Sequence, residues 1–298
     1  MQIVQSIQTK GGQMMLAKSE ERCKWALLIG INKYKYPEIK PLFGCVNDIE
    51  LISKILQENF EFSTDHITLL RDEEATRDNI LVAMDTLVDN VGKDDIVVIQ
   101  YSGHGSQMTD REGDEKDGLD ETIVPHDSGR SPNKNLDITD DEIYLRLLRL
   151  NEKTPHTTLI FDCCHSGTIS RDSFGTYERW VEPDLRPIEE LPPSTVLTEL
   201  GRGVRDSGPS GWLPLSERYV LIAACRDEEK AYEYTPTQTD SKLNHGALTY
   251  FLGQALRSAQ SGTTYRDIFE WVSPQVTAVR ALQHPQMEGA RDRLLFDT

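Results

Sequence analysis

The chain has 298 residues, a formal net charge of −17, a hydrophobic fraction of 38% and a charged fraction of 27%. This composition is typical of a globular protein, and the length allows one large domain or two small ones. The acidic balance argues against a nucleic-acid-binding protein, because phosphate contacts need clustered Lys and Arg. It favours cationic ligands, either metal ions or basic peptide side chains.

The sequence also argues against membrane insertion and disulfide bonding. No apolar run approaches the roughly 18 residues of a membrane span, and the N-terminus lacks the basic and apolar regions of a secretory signal. The number of cysteines is odd, and no C-x-x-C pair occurs among them. Reduced thiols are therefore expected. We expect a cytoplasmic protein with no membrane or nucleic-acid partner.

Apolar periodicity predicts strands and helices that alternate along most of the chain. Asn47 or Asp48 is expected to cap the first helix, and the second helix shows an apolar face. Alternation of this kind predicts an α/β fold with a mostly parallel sheet and helices on both faces. The predicted strands are 26–31, 66–72, the run before the Gly-rich loop at 103–105, the run before Cys163, 218–227 and 293–296. The predicted helices are 47–60, 76–91, 140–150, 246–260 and 264–279.

One stretch breaks this alternation. Residues 170–216 are rich in Pro, Gly, Ser and charge, and loops of this length are usually functional or mobile. The stretch separates a larger N-terminal part from a smaller C-terminal part. Residues 1–23 are polar and are expected to form an extension outside the core.

Two predicted strands end in residues with reactive side chains. His104 follows one strand in "YSGHGSQ", and Cys163 and Cys164 follow another in "DCCHSG". If the strands are neighbours, His104 and a cysteine meet at the carboxyl edge of the sheet, as a nucleophile and its proton acceptor must. The backbone N–H after the histidine and that of the cysteine could form an oxyanion hole.

Other interpretations of these motifs remain open. A cysteine at a strand end is often a buried packing residue, and Gly-His-Gly is often a turn. A zinc site is disfavoured, because adjacent cysteines chelate poorly and no second Cys/His pair has the required spacing. No G-x-S-x-G motif surrounds Ser166, which argues against a serine hydrolase.

The motifs "YSGHGSQ", "DGLDETIVPHD" and "DCCHSGT", in this order and spacing, resemble those of the metacaspases, which are caspase-like cysteine peptidases. The bacterial members are called orthocaspases. The resemblance runs from about Trp25 to the C-terminus and includes "FGCVNDIE" and "QHPQM". It implies the caspase-hemoglobinase fold, with a p20-like part at 24–170, a linker at 171–216 and a p10-like part at 217–298. It also implies a monomer.

The resemblance implies a role for each residue at the strand ends. Cys164, directly before "HSG", corresponds to the nucleophile, and His104 corresponds to its partner. Cys163 matches a position expected to be non-catalytic. The oxyanion hole would then be formed by the backbone N–H groups of Gly105 and Cys164.

The resemblance further implies a substrate pocket that selects Arg or Lys before the cleaved bond, the P1 position. The family pocket corresponds here to Cys45, Asp48, Ser102 and Asp162. Asp162 lies two residues before Cys164, so both should face the same side of a strand, and its carboxylate would pair with a basic side chain. Asp162 could instead cap a loop, and Asp48 could be a plain helix cap. The expected substrates are proteins or peptides with a basic P1 residue.

Eight carboxylates lie between Asp110 and Asp127. The spacing alone favours a solvated loop and does not match an EF-hand. In many metacaspases a cluster of aspartates binds calcium, and the resemblance implies a Ca²⁺ site here. The matching positions are Asp120, Asp140, Asp141 and Asp172, although Asp172 lies one residue further from Cys164 than the family pattern expects.

The resemblance therefore predicts a cysteine endopeptidase that cleaves after Arg or Lys, is stimulated by calcium and processes itself within 170–216. An Arg-containing mobile loop suits a peptidase that cuts after basic residues. The alternative is a non-catalytic caspase-like scaffold or a calcium-responsive binding module. The candidate cleavage sites in the loop are Arg171, Arg179, Arg186, Arg202 and Arg205.

Overall fold

The computed structural model describes residues 22–111, 113, 115, 117–165, 177–191, 196, 207–236 and 244–297. Within these ranges the strands are β1 (Lys24–Gly30), β2 (Ile67–Arg71), β3 (Ile96–Ser102), β4 (Gly105–Thr109), β5 (Leu119–Ile123), β6 (Ile138–Thr139), β7 (Thr157–Asp162), β8 (Tyr219–Ala223), β9 (Glu233–Tyr234), β10 (His245–Gly246) and β11 (Gln286–Gly289). The helices are α1 (Cys45–Phe60), α2 (Arg77–Asn90), α3 (Asp140–Lys153), α4 (Ala247–Ser258) and α5 (Tyr265–Val279).

Six strands form the main sheet, in the order β11-β8-β7-β3-β1-β2. All of its neighbouring pairs are parallel except β11 with β8. Every residue of β3, β7 and β8 is buried, as expected for strands covered by helices on both faces. The predicted α/β fold with a mostly parallel sheet is therefore confirmed.

The helices cover the sheet in two layers. Leu28 on β1 belongs to one core cluster together with residues of α1, α4 and α5, whereas Leu27 belongs to the opposite cluster together with residues of α2 and α3. This alternation follows from the two-residue period of a strand. The predicted apolar face of the second helix is confirmed, since four apolar residues at helical spacing are buried: Ile80, Met84 and Leu87 within α2, and Val91 as its C-cap.

The structure corrects three local predictions. The Gly-rich loop after β3 continues directly into β4, which pairs with β5 in a small sheet that β6 completes on the other side of β5. The polar residues of β4 show no apolar alternation. The final strand is β11, and 295–297 form a 3₁₀ turn that buries Leu295 and Phe296.

The third correction concerns α1. The helix begins at Cys45 after Gly44, and no side chain caps it. Neither Asn47 nor Asp48 is the N-cap, because both lie inside the first turn. Asp48 is instead fully buried and turned toward neighbouring segments.

Among the residues described, no helix combines the length and apolar character that a membrane span requires.

Candidate active site

The carboxyl ends of β3 and β7 lie side by side, which brings the two reactive segments together. Ser102 pairs with Asp162 at the end of this parallel ladder. The chain then passes through Gly105 so close to Cys164 that an added Cβ on the glycine would lie 2.3 Å from the carbonyl oxygen of Cys164. Only glycine allows this approach. The structure thus places His104 and Cys164 at the same edge of the sheet.

A backbone carbonyl orients the His104 ring. The Nε2 atom lies 2.8 Å from the carbonyl oxygen of Lys40, so Nε2 must carry the proton and Nδ1 is free to accept one. The buried Nδ1 has no hydrogen-bond partner among the described residues. Sequence reasoning missed Lys40, because a backbone carbonyl acts through its position and not through its side chain.

Burial lowers the pKa of His104 from 6.5 to about 4. The hydrogen bond to Lys40 opposes this shift, and the charges of Arg179, Arg130 and Lys40 add to it. The imidazole is therefore neutral at pH 7, which is the state a proton acceptor requires.

This low pKa should make the stability of the chain depend on pH. The unfolded chain binds the His104 proton more tightly than the folded chain, so the free energy of unfolding should rise with pH between about 4 and 6.5. Acidification through this range should cost about 3 kcal/mol through His104. Chemical denaturation of the wild type and His104→Gln at pH 7 and pH 4 measures the difference. The same pH dependence in both proteins would contradict the prediction.

The two cysteines face opposite sides of the sheet. Cys163 packs in the cluster that contains residues of α2 and α3, whereas Cys164 packs in the cluster that contains residues of α1, α4 and α5. Burial raises the pKa of Cys163 well above its ordinary value. The Cys164 thiol lies 3.4 Å from the carbonyl oxygen of Arg179. Although they are adjacent in the chain, Cys163 is a core residue on one face of the sheet and Cys164 contacts Arg179 on the other.

The side chain of Arg179 fills an acidic pocket. Its guanidinium is completely buried and lies 2.7 Å from Asp48 Oδ2, 3.2 Å from Asp162 Oδ1 and 3.7 Å from Glu233 Oε1. Burial raises the pKa of Asp162, and the positive charge of Arg179 opposes that shift. Three carboxylates around one guanidinium make a site that is selective for a cation.

The other residues expected in this pocket are nearby. Burial raises the pKa of Cys45, and the charge of Arg179 opposes the shift. Ser102 pairs with Asp162 in the strand ladder, and its hydroxyl accepts a hydrogen bond from Gln100. Sequence reasoning missed Glu233, which lies on the two-residue strand β9 in the C-terminal part, too short for a pattern to show.

The carbonyl oxygen of Arg179 lies where the oxyanion hole was expected. It accepts hydrogen bonds from the backbone N–H of Gly105 at 3.1 Å and from that of Cys164 at 3.2 Å. Two convergent N–H donors are what an oxyanion hole requires. The two N–H donors, the Cys164 thiol and the acidic pocket therefore all contact Arg179.

The backbone before the Arg179 carbonyl is extended and bound on one side. The N–H of Arg179 donates to the carbonyl of Ala231 at 2.9 Å, and the N–H of Glu233 donates to the carbonyl of Tyr177 at 2.9 Å. These bonds form an isolated antiparallel bridge between Glu178 and Tyr232. A short segment from the linker thus adds to the residues at 231–233 as an extra strand.

The backbone after Arg179 is bound to β4. The N–H of Val181 donates to the carbonyl of Gly105 at 3.0 Å, and that of Asp184 donates to Gln107 at 2.9 Å. We name residues 177–184 the internal segment. It lies in the cleft as an added strand, the way in which many binding proteins hold an extended peptide.

Buried carboxylates lie beside this cleft. Asp120, Asp140 and Asp141 are all buried. Burial, then the charges of Glu121 and the two neighbouring aspartates, raise the pKa of Asp140 well above its ordinary value. Asp172 lies outside the described residues.

A second set of carboxylates could share a cation with Asp140. Oxygen atoms of Glu115, Glu121 and Asp140 all lie within 4.8 Å of one another. Oxygen ligands converging in this way suit a hard cation such as Ca²⁺. Glu115 and Glu121 were not among the predicted ligands, although both belong to the same acidic loop.

Comparison with known proteins identifies the family. Residues 24–171 match the family model described as metacaspase, peptidase C14 domain. The chain is similar to Metacaspase-1 of Pyricularia oryzae, at 40% identity over 149 residues covering 48% of this chain and 36% of the relative. It is equally similar to Metacaspase-1B of Neurospora crassa, at 40% identity over 48% of this chain and 34% of the relative. The matched region thus spans about a third of the length of these relatives.

The fold has a counterpart among solved structures. The crystal structure of protein GSU0716 from Geobacter sulfurreducens superposes with a TM-score of 0.62, covering 92% of this chain and 98% of that chain at 22% identity. This likeness concerns the fold alone. The sequence matches establish the family: residues 24–171 of this chain belong to the metacaspases, the caspase-like cysteine peptidases.

Proposed function

We propose that the chain is a cysteine endopeptidase that cleaves peptide bonds after Arg or Lys. One observation carries this proposal: Arg179 lies with its side chain among three carboxylates and its carbonyl oxygen on two backbone N–H donors beside the Cys164 thiol. This is the position that the P1 residue of a substrate must take. Lys would use the same pocket as a point charge.

The proposed chemistry uses Cys164 and His104. The Cys164 sulfur attacks the carbonyl carbon of the P1 residue, and Nδ1 of His104 takes the thiol proton. The N–H groups of Gly105 and Cys164 hold the negative oxygen of the tetrahedral intermediate. The imidazolium then protonates the departing amine, which leaves a thioester on Cys164. Water hydrolyses the thioester and regenerates the thiol.

A panel of fluorogenic peptides tests the specificity. Peptides that differ only at P1 should be cleaved when P1 is Arg or Lys, and not when it is Asp or Asn. An acidic pocket repels the carboxylate of Asp, and the neutral amide of Asn has no charge to pair with it. Preference for Asp would contradict the role given to Asp162.

The internal segment makes self-processing specific to one bond. The peptide bond between Arg179 and Trp180 lies directly after the carbonyl held beside Cys164, so we expect cleavage there. Arg179→Ala should prevent this cut, whereas Arg186→Ala should allow it, because Arg186 instead pairs with Asp184 outside the pocket. Mass spectrometry of the fragments identifies the bond. A cut at 179 that persists in Arg179→Ala would contradict the prediction.

We propose that Ca²⁺ stimulates the enzyme by binding at the buried carboxylates. The cation would offset repulsion among Asp140, Glu121 and their neighbours, and Glu121 links this region to the active site because its carboxylate lies 3.6 Å from the ring of His165, next to Cys164. Asp120 and Asp141 lie close enough to influence Asp140. Asp172, outside the described residues, remains a proposed ligand.

Asp140→Asn should stabilise the chain in the absence of calcium and weaken its binding of calcium. Without calcium the change removes a buried carboxylate and should raise the melting temperature. With calcium it removes a ligand, so affinity measured by titration calorimetry should fall at least about tenfold. Glu152→Gln, an exposed change at the far end of α3, is the control. Equal calcium affinity in Asp140→Asn and the control would contradict the site.

A further inference from the structure

Lys230 contacts the internal segment on both sides of the bond between Arg179 and Trp180. Its ammonium lies 2.7 Å from Glu178 Oε2, and it also lies over the indole ring of Trp180, 4.9 Å from the ring centroid. The Lys230 side chain is only 7% exposed. A buried ammonium needs a partner, and here both partners belong to the bound segment.

The backbone hydrogen bonds fix this geometry for any peptide that binds in the same way. Ala231, the residue after Lys230, accepts the N–H of the P1 residue. Lys230 is therefore held beside P1, and its side chain reaches the residue before P1 (P2, here Glu178) and the residue after the cleaved bond (P1′, here Trp180). The Trp180 indole N–H also donates to the carbonyl of His165 at 3.2 Å.

Charge makes this contact selective. The P1 pocket holds Asp48, Asp162 and Glu233, so an acidic side chain beside the pocket meets repulsion unless a nearby cation offsets it. Lys230 supplies that cation. A basic side chain at P2 would lose this contact and meet the charge of Lys230 instead, with little solvent to screen it.

We propose that Lys230 is a specificity-determining residue, which selects substrates with an acidic residue at P2 and an aromatic residue at P1′. The inference rests on the proposed endopeptidase function and names the class of substrate: Glu or Asp, then Arg or Lys, then the cleaved bond, then Trp or a similar ring. An alternative explanation is that Lys230 only holds the internal segment in place. Substrates supplied as separate peptides distinguish the two.

The experiment uses the full wild-type chain after self-processing, because the proposed cut after Arg179 frees the cleft for a separately supplied peptide. Four internally quenched peptides differ only around the cleaved bond: Glu-Arg-Trp, Gln-Arg-Trp, Lys-Arg-Trp and Glu-Arg-Ala. We expect kcat/KM for Glu at P2 to exceed that for Gln by about tenfold, with Lys lower again. Ala at P1′ should reduce kcat/KM about fivefold through loss of the cation–π contact.

Variants of Lys230 assign the preference to this residue. Lys230→Glu should reverse the order, so that Lys at P2 is cleaved faster than Glu, and Lys230→Met should remove the preference for Glu. Lys54→Glu, the same change of charge on an exposed part of α1, should keep the wild-type order.

The outcomes separate this inference from the function on which it rests. Cleavage of all P2 peptides at equal rates would overturn the role of Lys230 and leave the peptidase proposal intact. An unchanged preference for Glu in both Lys230 variants would also overturn it. Failure to cleave any of the four peptides would overturn the endopeptidase function and this inference with it.

Discussion

Cys164→Ala should reduce kcat/KM for an Arg peptide by at least about 10³-fold and abolish the cut after Arg179. The physical reason is that Cys164 is the thiol held 3.4 Å from the carbonyl oxygen of the bound Arg179. From this position the thiol can attack the adjacent carbonyl carbon and form the covalent intermediate, and alanine cannot. Rates with a fluorogenic Arg peptide, together with the fragment pattern on a gel, measure both effects.

Cys163→Ala is the matched control. It removes the same thiol from the adjacent residue, but on the opposite face of the sheet, where Cys163 packs in the core. This variant should keep its activity and lose some stability, about 1 kcal/mol. Equal turnover by the wild type and Cys164→Ala would falsify the peptidase proposal and favour a caspase-like binding scaffold. Loss of activity only in Cys163→Ala would mean that the nucleophile was assigned to the wrong cysteine.

Asp48→Asn should reduce kcat/KM for an Arg peptide about 100-fold, because it removes one partner of a buried ion pair. The carboxylate lies 2.7 Å from the Arg179 guanidinium and also accepts the backbone N–H of Gly246. An amide oxygen can keep the bond to Gly246 but carries no charge. The loss should therefore fall on substrate recognition more than on folding, and cleavage after Arg179 should slow in parallel.

Glu50→Gln is the control for this change. It is the same carboxylate-to-amide substitution two residues along α1, on an exposed side chain that pairs with Arg71. Its kcat/KM should match that of the wild type. An Arg peptide cleaved equally well by Asp48→Asn would show that Asp48 does not line the P1 pocket.

The sequence alone was enough to predict the architecture and to bring the candidate residues together. Alternating apolar segments indicated a parallel sheet, and the carboxyl ends of its strands pointed to His104 and to one of the two adjacent cysteines, Cys163 or Cys164. The resemblance to the metacaspases selected Cys164. These predictions succeed because strand periodicity and sheet polarity are local properties of the chain. The sequence did not predict the strands at 105–109 and 286–289, because they are short and contain too few apolar residues to show an alternating pattern.

Other parts of the site were decided only by the tertiary structure. The sequence marked five arginines in 170–216 as equivalent candidates, of which Arg171, Arg202 and Arg205 lie outside the described residues. Of the two that the structure describes, the fold places Arg179, and not Arg186, among carboxylates from α1, β7 and β9. The Lys40 carbonyl, Glu233 and Lys230 could not be recognised in advance. Each acts through contacts between segments far apart in the chain, and such contacts exist only after the sheet has assembled.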